Sequence, residues 1–134
     1  MEEKLAQLKT KLAELSDLGG SAALLGWDQQ TYMPPGAAEQ RGNQQAIVGR
    51  ILQEWATAPE LGKLLEELKP YGESLDPDSD DARLIKVSAK DFVKATCVPV
   101  DFVVEFSKVT AVAQQAWIEA RQKSDFEHFR PHLE

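Results

Sequence analysis

The chain has 134 residues and a net charge of −7, with 43% hydrophobic and 28% charged residues, which is typical of one globular domain. The acidic balance, with no local cluster of lysine and arginine, argues against nucleic-acid binding. No run approaches the roughly 20 apolar residues of a membrane span, and the N-terminus lacks a signal-peptide pattern. The single cysteine, Cys97, excludes an internal disulfide and suits a reducing compartment. We therefore expect a cytoplasmic protein without nucleic-acid or membrane partners.

The N-terminal half of the chain contains two long amphipathic segments. Leucines three and four residues apart predict a first helix over residues 2–25. Gly19-Gly20 interrupts this pattern, since a glycine inside a helix costs about 1 kcal/mol relative to alanine; alternatively, the pair permits close helix packing. A second helix is predicted over residues 36–56. Its apolar stripe is Ile47, Val48, Ile51, Leu52 and Trp55.

Three further helices follow. Residues 58–68 carry four leucines at helical spacing, and residues 69–79 form a loop rich in proline, glycine and acids. Helices are then predicted over 80–96 and 100–123, with a short turn at 125–129. The expected inward stripe of the long helix is Phe102, Val103, Phe106, Val109, Ala113, Trp117 and Ala120.

No segment shows sustained alternation of apolar and polar residues, so no strand is predicted. The expected fold is all-α, with about five to six helices arranged as antiparallel hairpins. The sequence stops three residues after Pro131, which resembles the first residue of a new helix. We therefore expect the chain to be the truncated N-terminal part of a larger helical fold.

The two histidines are the first candidates for chemistry. His128 and His132 are four residues apart, a spacing that allows two imidazoles to share a metal ion on one helical face. The run HFRPH, however, lacks the glutamate that acts as general base in H-E-x-x-H peptidases, and Pro131 disrupts the helix. Two surface histidines are therefore the favoured interpretation.

Other potential ligands do not form a recognisable motif either. Asp76, Asp78, Asp80 and Asp81 resemble a calcium-binding loop, but the glycine and the closing glutamate are missing. A solvated loop followed by a helix N-terminus explains these acids better. Cys97 has no nucleophile motif around it and is expected to be a small buried hydrophobic residue. The sequence therefore predicts no catalytic and no metal-binding residue.

The joint between the first two helices, LGWDQQTYMPPGAAEQR at residues 25–41, is unusually rich in apolar and stiff residues. Pro34-Pro35 should hold the backbone extended, and Gly36 should release it into the second helix. Three large side chains are expected to fill the space between helix hairpins as core: Trp27, Tyr32 and Met33. This arrangement predicts a rigid corner.

Four charged or aromatic residues complete the set of candidates. Asp28 is expected to cap backbone amides in the joint, and Arg41 to pair with Asp28 across the turn. A structural role is favoured for both over contact with a substrate. Trp117 is expected in the core, and Arg121 is expected to pair with an acid across an interface.

The joint also carries the most specific sequence pattern of the chain. Its residues are Trp27, Asp28, Thr31, Tyr32, Met33, Pro34, Gly36 and Arg41. Weaker matches follow in order at Pro59-Glu60-Leu61, Ala116-Trp117, Ala120-Arg121, Asp125-Phe126, Phe129, Pro131 and Leu133-Glu134. With these residues the chain resembles, over essentially its whole length, the N-terminal region of carboxypeptidase Taq family metallocarboxypeptidases.

The resemblance implies a larger helical zinc-peptidase fold, roughly three to four times the length of a domain of this size, with a deep substrate cleft. Enzymes of the family remove C-terminal amino acids one at a time with broad specificity. Their zinc, or a cobalt substitute, is held by an H-E-x-x-H helix and a later glutamate, and the glutamate of the motif acts as general base. None of these elements occurs in this sequence, so the resemblance assigns no catalytic or metal-binding residue to it.

Two functions of different classes follow. The first is a cleft-covering, structural region of a metallocarboxypeptidase, inactive alone, whose partner is the remainder of the polypeptide and whose full-length form binds zinc or cobalt and a peptide substrate. The second is a stand-alone helical interaction module. Exposed apolar surface left by a missing partner would also favour a homo-oligomer.

Overall fold

The computed structural model describes all residues Met1–Glu134 and confirms the all-α fold. The helices are α1 (Glu2–Thr31), α2 (Ala38–Ala56), α3 (Pro59–Ser74), α4 (Asp80–Thr96), α5 (Val100–Lys123) and α6 (Phe126–Phe129), followed by a 3₁₀ turn at Arg130–His132. The chain packs as two compact units. Unit 1 comprises Met1–Gly19 and Ile51–Pro99; unit 2 comprises Gly20–Arg50 and Val100–Glu134.

Two helices are longer than the sequence pattern indicates. α1 continues to Thr31, through the glycine pair and into the predicted joint. α3 continues to Ser74 with Pro70 in its interior, although an interior proline removes one backbone hydrogen bond. Tyr71 packs against the core of unit 1, and this contact favours the helical course beyond the proline. α4 and α5 have the bounds that the sequence predicts.

Unit 1 is built around large aliphatic side chains. Its buried cluster is Leu5, Leu8, Leu61, Leu64, Leu65, Leu68 and Ile85. Leu8 and Leu68 are 0% exposed. Gly62 of α3 makes room for an aromatic ring, because a Cβ atom at that position would lie 2.7 Å from Cζ of Phe92. The leucine periodicity of α1 and α3 therefore indicates the true core face.

Unit 2 packs through small residues instead. Its buried residues are Ala38, Gly42, Ala46, Ala111, Ala116 and Ala120. A Cβ atom at Gly42 would lie 3.2 Å from Cβ of Ala111 and 3.4 Å from Cα of Lys108. The backbones of α2 and α5 therefore approach so closely that the interface has little room for a larger side chain at Gly42.

This close approach overturns part of the predicted apolar stripes of α2 and α5. Ile47 and Trp55 on α2 are exposed, and so are Phe102, Phe106 and Val109 on α5. The prediction was wrong for these residues because it followed the largest apolar side chains, whereas the buried interface is formed by glycine and alanine. Other members of the two stripes are half-buried or buried as predicted: Val48, Ile51, Leu52, Val103, Ala113 and Ala120. Large side chains on the opposite face of each helix are left outside.

Two smaller expectations are also wrong. Gly19 and Gly20 do not serve close helix packing, since a Cβ atom at either position would meet no atom within 4 Å. Cys97 is exposed rather than buried. It follows the last residue of α4, where its Sγ donates to the carbonyl of Val93 at 3.3 Å, so the end of the helix leaves the thiol at the surface.

Candidate functional site

The joint after α1 is a tight turn rather than an extended segment. The amide of Ala37 donates to the carbonyl of Pro34 at 3.2 Å, and Gly36 has φ of 85°. The two central residues of this turn are Pro35 and Gly36. A proline followed by a glycine with positive φ is the pattern of a type II turn. Gly36 therefore supplies the left-handed conformation from which the chain enters α2, as the sequence suggests.

Arg41 holds this joint together. Its Nη1 donates to the carbonyl of Leu25 at 2.6 Å, its Nη2 to Oδ2 of Asp28 at 2.5 Å, and its Nε to Oε1 of Gln44 at 3.0 Å. The side chain of Arg41 is only 12% exposed. The predicted pair of Asp28 with Arg41 is present, but Asp28 lies inside α1 and accepts from Arg41 instead of capping backbone amides.

A second polar link runs beside the first. Nε2 of Gln45 donates to Oε1 of Gln29 at 3.1 Å, and Nε2 of Gln29 donates to the carbonyl of Ala111 at 3.2 Å. These bonds connect α2, α1 and α5 within unit 2. Neither glutamine is predicted from the sequence, where the only available signal is their position on the two helices that flank the joint.

The aromatic residues of the joint project outward. Trp27 is 56% and Tyr32 is 76% exposed, and their ring centroids lie 5.6 Å apart at 58°. The prediction that these two residues fill a core is therefore wrong, while Met33 is half-buried. The hydrogen bonds of Arg41 fix the corner without help from the rings, so the rings remain available to a partner.

Trp117 and Arg121 belong to a second aromatic group near the C-terminus. The ring of Phe129 meets that of Trp117 edge-on at 5.1 Å, and the guanidinium of Arg121 lies 5.5 Å from the Trp117 centroid, in cation–π range. Trp117 remains 39% exposed, so its predicted core position is wrong. Arg121 stacks on its own helix instead of pairing with an acid across an interface.

The histidines lie in different surroundings and do not converge. Nε2 of His128 is 3.2 Å from Oε2 of Glu119, whereas His132 stacks on the ring of Phe129. The hydrogen bond from Gln115, together with the charges of Lys123 and His128, lowers the pKa of Glu119. No group of three or more His, Cys, Asp or Glu residues could hold a metal ion.

A groove in unit 1 offers space for a small ligand. It has a volume of about 390 Å³ and is lined mainly by apolar residues of α3 and α4, with Lys69, Glu73 and Lys86 as its charged members. Separately, none of the helices has the combination of length and apolarity needed to cross a membrane.

Comparison with known proteins identifies relatives over almost the whole chain. Thermostable carboxypeptidase 1 of Thermus thermophilus is 31% identical over 131 residues, which is 98% of this chain and 25% of that protein. Carboxypeptidase 1 of Bacillus subtilis is 26% identical over 123 residues, or 92% of this chain and 24% of that protein. The chain thus spans about a quarter of the length of these curated relatives.

Solved structures agree with this match. The M32 carboxypeptidase from Deinococcus radiodurans R1 superposes with a TM-score of 0.70 at 41% identity. The BsuCP crystal structure superposes with a TM-score of 0.89 at 23% identity, which shows the fold. Each comparison covers 98% of this chain and 26% of the other. The profile of the carboxypeptidase Taq (M32) metallopeptidases matches residues 7–134. The resemblance carried by the joint is confirmed, and the chain belongs to the carboxypeptidase Taq (M32) metallopeptidase family.

Proposed function

We propose that the chain is the N-terminal, cleft-covering helical region of a metal-dependent carboxypeptidase that releases C-terminal amino acids with broad specificity. The observation that carries the proposal is the match of 98% of this chain to only 25% of the Thermus thermophilus relative. A region of that relative size can shape an enzyme without containing its reacting groups. The chain alone is expected to be inactive.

The chemistry of the side chains is consistent with this division of labour. A catalytic zinc site uses three protein ligands and leaves a position for water. The residues present do not fit such a site, because no three potential ligands come together and His128 faces Glu119. Zinc or cobalt would therefore be held by residues outside this chain, and no step of the reaction is assigned to its side chains.

The signature residues of the joint support a structural contribution. Arg41 ties the end of α1 to the start of α2 through Leu25 and Asp28, and Gly36 provides the turn between them. A corner fixed in this way sets the angle between two helices that would wall a cleft. Trp27 and Tyr32 stand outside the corner, where the remainder of the polypeptide would cover them.

The proposed partners follow from the same division. The main partner is the remainder of the parent polypeptide, and a peptide substrate is bound only in that context. Exposed apolar residues outside helix α5, such as Leu24 and Ile47, also favour a homo-oligomer. The single exposed cysteine is compatible with a reducing, cytoplasmic location.

The test compares the purified chain with the protein encoded by the whole reading frame that contains it. Both are supplied with zinc or cobalt and an N-terminally blocked peptide, and released amino acids are quantified with and without a chelator. We expect chelator-sensitive release by the longer protein and none by the chain alone. Chelator-sensitive release by the chain alone would overturn the proposal.

The stand-alone interaction module remains the second candidate because α5 exposes a row of large apolar residues. The interaction module and the carboxypeptidase region make opposite predictions about the length of the reading frame. A reading frame that ends at Glu134 supports the module and removes the carboxypeptidase region as stated. A downstream H-E-x-x-H in the same frame supports the enzyme.

A further inference from the structure

Helix α5 is apolar on two opposite sides. Its inner side contacts α2, where Ala111 lies against Gly42 and Val103 lies against Gly49. Its outer face consists of Phe102, Phe106, Val109, Ala113 and Trp117. A helix at the surface of a finished domain normally carries polar residues opposite its buried side, and a helix that is apolar all round is normally buried. α5 thus leaves Phe102, Phe106 and Val109 half or more exposed, outside its contact with α2.

The outer face has the spacing of a helix-packing seam. Its members recur at intervals of four and three residues from Phe102 to Ala113, the pattern that lets one helix interlock with another. The rings of Phe102 and Phe106 stack with centroids 5.8 Å apart and form a ridge. Ala113 is half-buried and is the smallest residue of this face.

Unit 2 also lacks a core of its own large side chains. Every buried residue in it is alanine or glycine. Phe102, Phe106 and Val109, which could contribute to such a core, lie on the outer face of α5 and are half or more exposed. Covering them requires apolar surface from outside the unit.

From these observations we infer that the outer face of α5 is a docking surface for an apolar helix from the remaining three quarters of a family-length polypeptide, in cis. The inference rests on the proposed function. The length comparison supplies the occupant, since a relative matched along 98% of this chain has about three quarters of its own length elsewhere. A covalently continuous segment also has an effective concentration of roughly millimolar.

A second copy of this chain is the less favoured occupant. Each copy has a net charge of −7, so two copies repel one another, most strongly at low ionic strength. A second copy must also be brought to the surface by concentration, whereas a tethered segment is always present. The experiment below distinguishes the two.

The test measures how fast a maleimide reacts with a reporter cysteine on α5. The background is Cys97→Ser, which removes the exposed native thiol. Val109→Cys places the reporter on the outer face, where Val109 is 50% exposed. Gln114→Cys is the matched control, because Gln114 is exposed on the same helix but lies off the outer face. Phe106→Cys is a second outer-face reporter in case one variant fails to fold.

In the chain alone, the outer-face and control cysteines should react at similar rates. In the longer protein, the outer-face cysteines should react at least about tenfold more slowly while the control changes by less than about threefold, because reaction would require local opening. Equal rates at both positions in the longer protein would overturn the docking surface. Protection of Val109→Cys in the chain alone that grows with protein concentration would assign the face to a second copy and also overturn the inference.

The docking surface and the proposed function can be contradicted independently, because the maleimide reaction tests the first and the peptidase assay tests the second. Protected outer-face cysteines in a longer protein without peptidase activity would sink the proposed function and leave the docking surface standing. An active longer protein with freely reactive outer-face cysteines would do the reverse. A reading frame that ends at Glu134 would overturn both.

Discussion

The two units of this protein contain similar kinds of residue but use them in opposite ways. Unit 1 buries seven large aliphatic side chains in one cluster. Unit 2 buries only alanine and glycine, and exposes aromatic and aliphatic residues such as Trp27, Phe102 and Phe106. Unit 1 therefore obtains its hydrophobic stabilisation from its own residues, whereas unit 2 presents much of its apolar surface to solvent.

The difference teaches that apolar periodicity shows where a helix can be buried, but not which partner buries it. A buried leucine contributes about 1.5–3 kcal/mol when removed from water, so the seven-residue cluster is a strong local source of stabilisation in unit 1. Unit 2 relies on close backbone approach at Gly42 and on hydrogen bonds from Arg41. Such contacts fix geometry more than they remove apolar surface from water.

The largest expected effect is the difference in stability loss between two substitutions, one at a core leucine of unit 1 and one at an outer-face residue of unit 2. Leu68→Ala should lower the free energy of unfolding by about 3–4 kcal/mol, because it leaves a cavity in place of a side chain that is 0% exposed. Phe106→Ala should change it by less than about 0.5 kcal/mol in the chain alone, because that ring is 57% exposed. Urea denaturation followed by circular dichroism measures both. Similar losses for the two variants would contradict the contrast between the units.

The second effect tests the small-residue interface of unit 2. Gly42→Leu should cost about 2–3 kcal/mol, because its Cβ alone would lie 3.2 Å from that of Ala111 and 3.4 Å from the backbone of Lys108. Gly20→Ala is the matched control within a helix: it meets no atom within 4 Å and should stabilise the protein by about 0.5–1 kcal/mol through helix propensity. Thermal melting of both variants provides the measurement. If Gly42→Leu melted at or above the parent temperature, the close approach of α2 and α5 would be refuted.

The sequence predicted the parts of the fold that depend on local pattern. The leucine faces of α1 and α3 and the bounds of α4 and α5 follow from periodicity and helix-terminating residues. The outer face of α5 could not be recognised as exposed from the sequence. Gly42 and Gly49 are visible there, but their close contact with the opposite side of α5 is not. Small residues carry a weak hydrophobic signal, so they are overlooked when large residues define the stripe.

Only part of the joint could be predicted from the sequence. Opposite charges at Asp28 and Arg41 suggest a pair, and the pair is present. The hydrogen bond from Arg41 to the carbonyl of Leu25 could not be predicted, because the length of α1 beyond residue 25 was not apparent from the pattern. With α1 extended to Thr31, Trp27 lies in the last two turns of the helix and Tyr32 directly follows its end, and both rings are exposed.

The third effect concerns this corner. Arg41→Ala should cost about 1.5–2 kcal/mol, because it removes three hydrogen bonds and leaves the Asp28 carboxylate without its cation. Arg83→Ala is the matched control, since Arg83 forms its ion pair with Asp78 in a highly exposed setting and should cost less than about 0.5 kcal/mol. Chemical denaturation of both variants measures the difference. Arg41→Lys should recover only part of the loss, because an ammonium group cannot reproduce the planar fork of donors; full recovery by lysine would contradict the described geometry.

The smallest effect is a pH dependence at the C-terminal end of unit 2. The pKa of Glu119 is lowered from 4.5, first by the hydrogen bond from Gln115 and then by the charges of Lys123 and His128. A lowered pKa in the folded state means that Glu119 stabilises the protein above its unfolded pKa, and that this stabilisation is lost as the pH falls below 4.5 through the folded value. The gap in melting temperature between the parent and Glu119→Gln should therefore shrink between pH 6 and pH 3. Gln115→Ala should reduce this pH dependence more than His128→Asn does, because the Gln115 hydrogen bond is the larger cause. The reverse order would show that the charge of His128, rather than the amide of Gln115, holds the carboxylate ionised.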